Sequence, residues 1–187
     1  MNYEIVVIGT SAGGISALQI LLSHLSADFK LPILIVQHRL PAADEFMVFA
    51  LQNACGLKVK EADQGDFIES GNVYLAPANY HLLVERNNTL SLSVDEKVCY
   101  SRPSIDVLFE TAVDVYQERL IGIILTGANS DGTNGFKRIK ALGGLTIAQD
   151  PQSAEVDIMP ESAIRENIVD EILSLEEISH YLNRISS

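Results

Sequence analysis

Cationic residues are scarce. The 187-residue chain carries 13 Lys and Arg against 25 Asp and Glu, a formal net charge of -12. Nucleic-acid binding draws on Lys and Arg meeting phosphates, so this balance argues against a nucleic-acid partner. Long apolar runs are also missing. No segment approaches the ~20 consecutive apolar residues of a membrane-spanning helix, which argues against membrane insertion. The N-terminus has no basic n-region, and its apolar stretch breaks at Gly9, so a signal peptide is not expected. Cysteine is limited to Cys55 and Cys99, in no CxxC pattern. They read as reduced thiols of a cytoplasmic protein. No His/Cys cluster has metal-ligand spacing, so no metal is expected, and no cofactor. Repeats, low-complexity tracts and linkers are absent as well, and residues 1–187 are expected to form one domain. A domain near this size buries roughly 70% of the surface its unfolded chain exposes.

What the chain does contain is an alternation of strands and helices. Residues 4–8 (EIVVI) predict a buried strand, short, β-branched and ended by Gly9. Ile15, Leu18, Leu21, Leu22 and Leu25 then recur at helical spacing. Pro32 opens a second strand, "ILIVQ", and "AADEFMVFALQNACG" predicts a helix with Gly56 at its C-terminal end. Strand-helix-strand-helix units normally build a parallel sheet through right-handed crossovers. Residues 57–98 predict a β-rich insertion containing a hairpin that turns at Asn87-Asn88. The pattern resumes with a helix whose Ile105, Leu108, Phe109, Ala112, Val113 and Tyr116 share one face. Strand "LIGIILT", helix "TNGFKRIKALGG" and strand "LTIAQD" follow. Ser174 with Glu177 marks a capping box at the start of the last helix. The acidic stretch "ESAIRENIVDEILSLEE" reads as a solvated helical face. The expected fold class is α/β.

The Gly-rich turn "GTSAGG" after the first strand fits two kinds of chemistry. A dinucleotide fingerprint, G-x-G-x-x-G, needs its middle glycine so that backbone can approach a pyrophosphate. Here that position is Ser11, and the second strand ends in Gln37-His38 instead of an acid for the ribose hydroxyls. The same letters fit G-x-S-x-G, in which small neighbours permit a sharp strand-to-helix bend that presents a serine. The following helix N-terminus offers N–H groups and partial positive charge to a developing oxyanion.

A serine nucleophile needs a base, and the base needs a group to orient it. In an open parallel sheet, side chains at the carboxyl ends of strands converge on one crevice. Ser11 ends the first strand, His38 the second, and Asp131 lies in the loop "TGANSDG" after a later one. Asp131 could instead cap the helix it precedes. The chain order Ser, His, Asp differs from the Ser, Asp, His of α/β-hydrolases, so a different scaffold is implied.

The stretches "IGTSAGG", "VQHRLP", "APANYHL", "SRPSIDVLF", "IILTGANSDG", "TIAQD" and "MPESAI" run through nearly the whole chain. In this order they resemble the catalytic domain of the CheB-type chemotaxis protein-glutamate methylesterases. The resemblance implies a doubly wound, mostly parallel sheet with helices on both faces and a small antiparallel β-hairpin insertion. It implies nucleophile, base and orienting carboxylate roles for Ser11, His38 and Asp131. Its substrates would be glutamyl methyl esters on the cytoplasmic part of methyl-accepting chemotaxis receptors, with methanol released, and glutamine amides more slowly. A separate receiver or methyltransferase protein would be a further partner; typical members carry an N-terminal receiver domain, whereas here Met1 leads almost directly into the first strand. Two departures stand out. Ala12 follows the serine where the family usually has Thr, and Gly127-Ala128-Asn129 replaces the usual Gly-Met-Gly.

Backbone N–H groups near Ala12 and Ala128 are candidate oxyanion donors, and Arg102 is a candidate for shaping the substrate cleft. Arg39, beside His38, is a candidate contact for an acidic receptor segment. His81 is expected to be structural, Tyr80 to pack in the core, and His24 and His180 to lie at the surface of helices. A related esterase acting on another substrate, and a non-catalytic signalling module retaining the fold, stay open.

Overall fold

The computed structural model describes residues 2–38 and 44–186. Its elements are β1 (Ile5–Thr10), α1 (Gly14–Ser23), β2 (Ile33–Gln37), α2 (Asp44–Gln52), β3 (Lys58–Glu61), β4 (Asn72–Leu75), β5 (His81–Val84) and β6 (Leu90–Ser93). They continue with α3 (Ile105–Tyr116), β7 (Leu120–Ile124), α4 (Thr133–Ala141), β8 (Leu145–Gln149), α5 (Ile158–Arg165), β9 (Glu171–Leu173) and α6 (Leu175–Ile185). Seven strands form one sheet in the order β3-β4-β2-β1-β7-β8-β9, and β5-β6 form a separate antiparallel pair. Every pairing in the large sheet is parallel.

Parallel strands covered on both faces need apolar side chains at every position, not at alternate ones. β1 shows this directly. Val6 and Ile8 pack with α1, α2 and α6 on one face, whereas Ile5 and Val7 pack with α3, α4, α5 and the hairpin on the other. The helical face expected from Ile105, Leu108, Phe109, Ala112, Val113 and Tyr116 is buried throughout.

Four expectations need correction. The β-rich insertion is smaller than 57–98: β3 and β4 belong to the main sheet, and only β5 and β6 form the hairpin. β3 (KVKE) is a short edge strand whose alternate charges hide its membership of a parallel sheet. The second helix stops at Gln52, before Gly56, because the Gln52 side chain turns to bond Leu57 C=O (2.9 Å) and Val59 N–H (2.9 Å). The acidic stretch is solvated but not one helical face, since it spans the end of α5, edge strand β9 and the first turn of α6. Finally, Tyr80 is 41% exposed and does not pack in the core. The Ser174–Glu177 capping box forms as expected, and both cysteines are free.

Candidate active site

β1 and β2 end side by side. Thr10 pairs with Gln37, so the next residues, Ser11 and His38, leave the sheet as neighbours. His38 N–H donates to Thr10 C=O (3.0 Å), and Ser11 N–H donates to Thr126 C=O beyond the end of β7 (3.0 Å). The Gln37 side chain lies buried beneath both loops and donates to Ser11 C=O (2.7 Å) and His38 C=O (2.8 Å). It needs room that only glycine leaves: a Cβ on Gly14 would stand 1.9 Å from Gln37 Oε1. A row of buried polar side chains thus runs along the carboxyl edge. In sheet order it is Gln37, Thr10, Thr126 and Gln149. Thr10 Oγ donates to Thr126 C=O (2.8 Å), and Thr126 N–H donates to Gln149 Oε1 (2.9 Å). Buried polar groups are normally paired, and the bonds of this row tie separate loops together, although Gln37 Oε1 has no partner among the described residues.

Ser11 itself does not take the left-handed conformation. The left-handed residue of the turn is Gly13 (φ 77°), the N-cap of α1. The sharp bend expected at the serine is therefore taken by Gly13. Ser11 is partly exposed, and among the described residues its hydroxyl makes no hydrogen bond.

Asp131 is fully buried and meets His38, with Oδ2 2.7 Å from Nε2. Three more donors reach the same carboxylate: Ser104 Oγ (2.9 Å), Ile105 N–H (2.7 Å) and Asp106 N–H (3.1 Å). Those N–H groups open α3 and would otherwise be unsatisfied. Asp131 therefore is a helix cap, but for α3, far away in sequence, and not for α4, whose N-cap is Gly132. Close approach makes this possible, because a Cβ on Gly9 would meet Ile105 Cγ2 at 2.3 Å. Burial opposes the charge on Asp131, yet the hydrogen bonds from His38 and the α3 backbone prevail and hold its carboxyl below the usual range. An ionised Asp131 only accepts, so Nε2 carries the imidazole proton and Nδ1 carries the lone pair of the neutral ring.

Further groups support this pair. His81 is buried; Ser104 N–H donates to its Nδ1 (3.2 Å), which leaves Nε2–H for Glu96 C=O (3.0 Å). The structural reading of His81 fits these bonds. Asn129 accepts Asp131 N–H on Oδ1 (3.1 Å) and brings Nδ2 within 3.4 Å of His38 Nδ1. Sequence reasoning missed the roles of Gln37, Thr126, Gln149, Ser104 and Asn129. Only Ser104 had a visible signal, a serine just before an apolar helix, and its hydroxyl serves Asp131 instead of its own helix.

The remaining candidates are placed as follows. Ala12 and Ala128 are exposed, and no hydrogen bond engages the N–H of either among the described residues. Arg102 Nη1 donates to Val94 C=O (2.6 Å) and Asp95 C=O (2.9 Å), and so braces its own loop. Arg39 lies outside the described residues. His24 and His180 are exposed, as expected. Cys99, Asp106 and Asp131 bring potential ligand atoms within 4.8 Å of one another. The oxygens of Asp131 already serve the four donors above, and Asp106 accepts Gly135 N–H (2.8 Å) and the Asn134 amide (3.2 Å). A cation there would have to displace the caps of two helices.

A parallel α/β sheet with a serine, an imidazole and a buried carboxylate along its carboxyl edge defines a candidate serine hydrolase of non-α/β-hydrolase order. Comparison with known proteins narrows the class. The chain belongs to the CheB methylesterase family, whose family model matches residues 6–182. It is 53% identical over 185 residues to a Leptospira interrogans protein provisionally named protein-glutamate methylesterase/protein-glutamine glutaminase, covering 99% of this chain and 96% of that one. A Methanosarcina acetivorans protein-glutamate methylesterase/protein-glutamine glutaminase 2 is 39% identical over 97% of this chain and 53% of its own length. The crystal structure of the Thermotoga maritima CheB methylesterase catalytic domain superposes with a TM-score of 0.95 at 34% identity, covering 99% of this chain and 100% of that one.

Proposed function

We propose that this protein is a serine hydrolase that removes methyl esters from glutamyl side chains and, more slowly, deamidates glutamines. The observation that carries the mechanism is the His38–Asp131 contact of 2.7 Å on a carboxylate held ionised by the start of α3. His38 Nδ1 takes the Ser11 hydroxyl proton as Oγ attacks the γ-carbonyl. Asp131 keeps the proton on Nε2 and stabilises the imidazolium. The imidazolium then protonates the departing methoxide, methanol leaves, and a glutamyl ester of Ser11 forms. Water activated by His38 hydrolyses that ester and releases glutamate. The unengaged N–H groups of Ala12 and Ala128 are the oxyanion donors, each worth about 2.7–4 kcal/mol in such sites.

The two core clusters share one sheet, which supports reading residues 1–187 as a single catalytic domain. No helix among the described residues is long and apolar enough to cross a membrane. In this reading the enzyme is cytoplasmic and its partners are the cytoplasmic part of methyl-accepting chemotaxis receptors, with a separate receiver or methyltransferase protein as a further partner; the names of the relatives support the glutamyl and glutaminyl chemistry.

Methanol release from methylated chemoreceptor, measured in parallel with hydrolysis of generic small esters, tests this function. Ser11→Ala is expected to lower turnover by roughly 10⁴-fold with melting unchanged. Near-native activity in that variant removes Ser11 from the nucleophile role. Turnover of small esters without receptor demethylation replaces the substrate.

A further inference from the structure

Asn129 sits two residues before Asp131, in the loop where this chain departs from the family's usual Gly-Met-Gly. Its amide spans the site's two central groups. Oδ1 accepts Asp131 N–H at 3.1 Å, and Nδ2 lies 3.4 Å from His38 Nδ1. The amide cannot be turned over at no cost. Rotation would set its NH₂ against the Asp131 N–H and its oxygen against the ring's lone pair, two repulsive contacts in place of two attractive ones. Asp131 fixes the neutral imidazole with its proton on Nε2, so Nδ1 has the single in-plane lone pair available to a base. The Asn129 amide lies against that lone pair, and the proposed mechanism requires the Ser11 hydroxyl to reach the same one. In this structure the amide is at hydrogen-bond distance, and the Ser11 hydroxyl is engaged by no described residue.

We propose that Asn129 is a positioning residue that occupies the base nitrogen of His38 in the resting site, so that Ser11 engages Nδ1 only when the amide withdraws. This rests on the reading of Ser11 and His38 as nucleophile and base. A separation of 3.4 Å is well beyond the 2.9–3.0 Å mode for N–H donors, so the contact is weak and displaceable. It holds the ring in plane, satisfies the lone pair before substrate arrives, and lowers the reactivity of the free serine. Release of one weak neutral hydrogen bond corresponds to roughly a 3- to 10-fold change in rate.

The test measures labelling of the whole protein by a small serine-directed fluorophosphonate, which needs no knowledge of the natural substrate. Wild type, Asn129→Ala, Asn129→Gly, Asn129→Asp and Ser11→Ala are compared, with a melting curve for each. Asn129→Ala and Asn129→Gly are expected to label roughly 3- to 10-fold faster than wild type. Asn129→Asp is expected to label more slowly, because a carboxylate beside Nδ1 retains a proton there. A purely structural role gives no such opposite signs. ¹⁵N NMR of the imidazole supplies a second readout: the unprotonated Nδ1 resonance of His38 moves downfield in Asn129→Ala as its donor is lost. Labelling no faster than wild type in folded Ala or Gly variants, or an unmoved Nδ1 resonance, overturns the proposal. Ser11→Ala that labels like wild type sinks the hydrolase reading instead, so the two failures are distinguishable.

Discussion

Asp131 and Asp106 are both buried, each at the start of a helix that belongs to the other's stretch of chain. Asp131, just before α4, caps α3; Asp106, in the first turn of α3, caps α4 through Gly135 N–H. Their carboxyls nevertheless move in opposite directions. Burial opposes ionisation in both. At Asp131 the imidazole of His38 and the α3 backbone outweigh it, and the carboxyl falls below the usual range. At Asp106 burial prevails over Gly135 N–H and Asn134, with the neighbouring negative Asp131 adding to it, and the carboxyl rises. Burial alone therefore does not decide a carboxylate's charge. The number and kind of donors decide it, and the better-provided member of this pair is the one that touches the imidazole.

The strongest way to break the contrast is Asp131→Asn. Turnover is expected to fall on the order of 10⁴-fold through the wrong histidine tautomer. Stability is also expected to fall, by at least about 1.5 kcal/mol, the low end for one hydrogen bond to a charged group. A carboxyl lowered by folding stabilises the protein above its unfolded value of about 3.9, and that contribution is lost as pH falls through the folded value. The melting difference between wild type and Asp131→Asn should thus be widest near neutral pH and narrow below about pH 4. A difference that widens toward acid would contradict an ionised Asp131.

Ser104→Ala removes one buried donor from the same carboxylate and leaves the ring contact in place. A loss of about 1.5–3 kcal/mol in urea unfolding is expected, with a smaller loss of turnover than Asp131→Asn. Asp106→Asn should cost less still at neutral pH, with the reverse pH trend. A raised carboxyl contributes fully below about 3.9 and loses that contribution as pH rises through the folded value, so the variant's deficit should grow on acidification. Parallel trends for the two aspartates would mean that their environments do not differ as described. The smallest effect is expected at Ser174→Ala, in a capping box that holds only α6. It should cost about 1 kcal/mol and leave turnover unchanged, which separates a cap that serves a helix from one that also serves a base.

Much of this was legible in the residues. Val6 through Ile8 and Ile33 through Val36 announce buried strands by unbroken apolar runs, and the face from Ile105 to Tyr116 announces α3 by its spacing. Ser11, His38 and Asp131 stood out as candidates because strand ends in a parallel sheet share one edge, and the structure brings His38 and Asp131 into contact. The misses have a common cause. β3 and β9 are short edge strands whose partners, not their own residues, make them part of the sheet. Gln37 reads as an argument against a ribose site until its amide is seen bridging two loops. Asp131 looks like the cap of the helix it precedes, because the helix it does cap begins 26 residues earlier.

The order of residues along the chain determined where strands and helices form and which reactive side chains stand at their ends, because those depend on spacing within one window of sequence. Only the folded chain decided which ring nitrogen faces the carboxylate, which helix holds that carboxylate ionised, and that an asparagine lies against the other nitrogen. Those facts come from groups separated by 25 to 93 residues and brought to within 3.4 Å. A hydrogen bond is a matter of distance and direction in space, and local spacing carries no record of either.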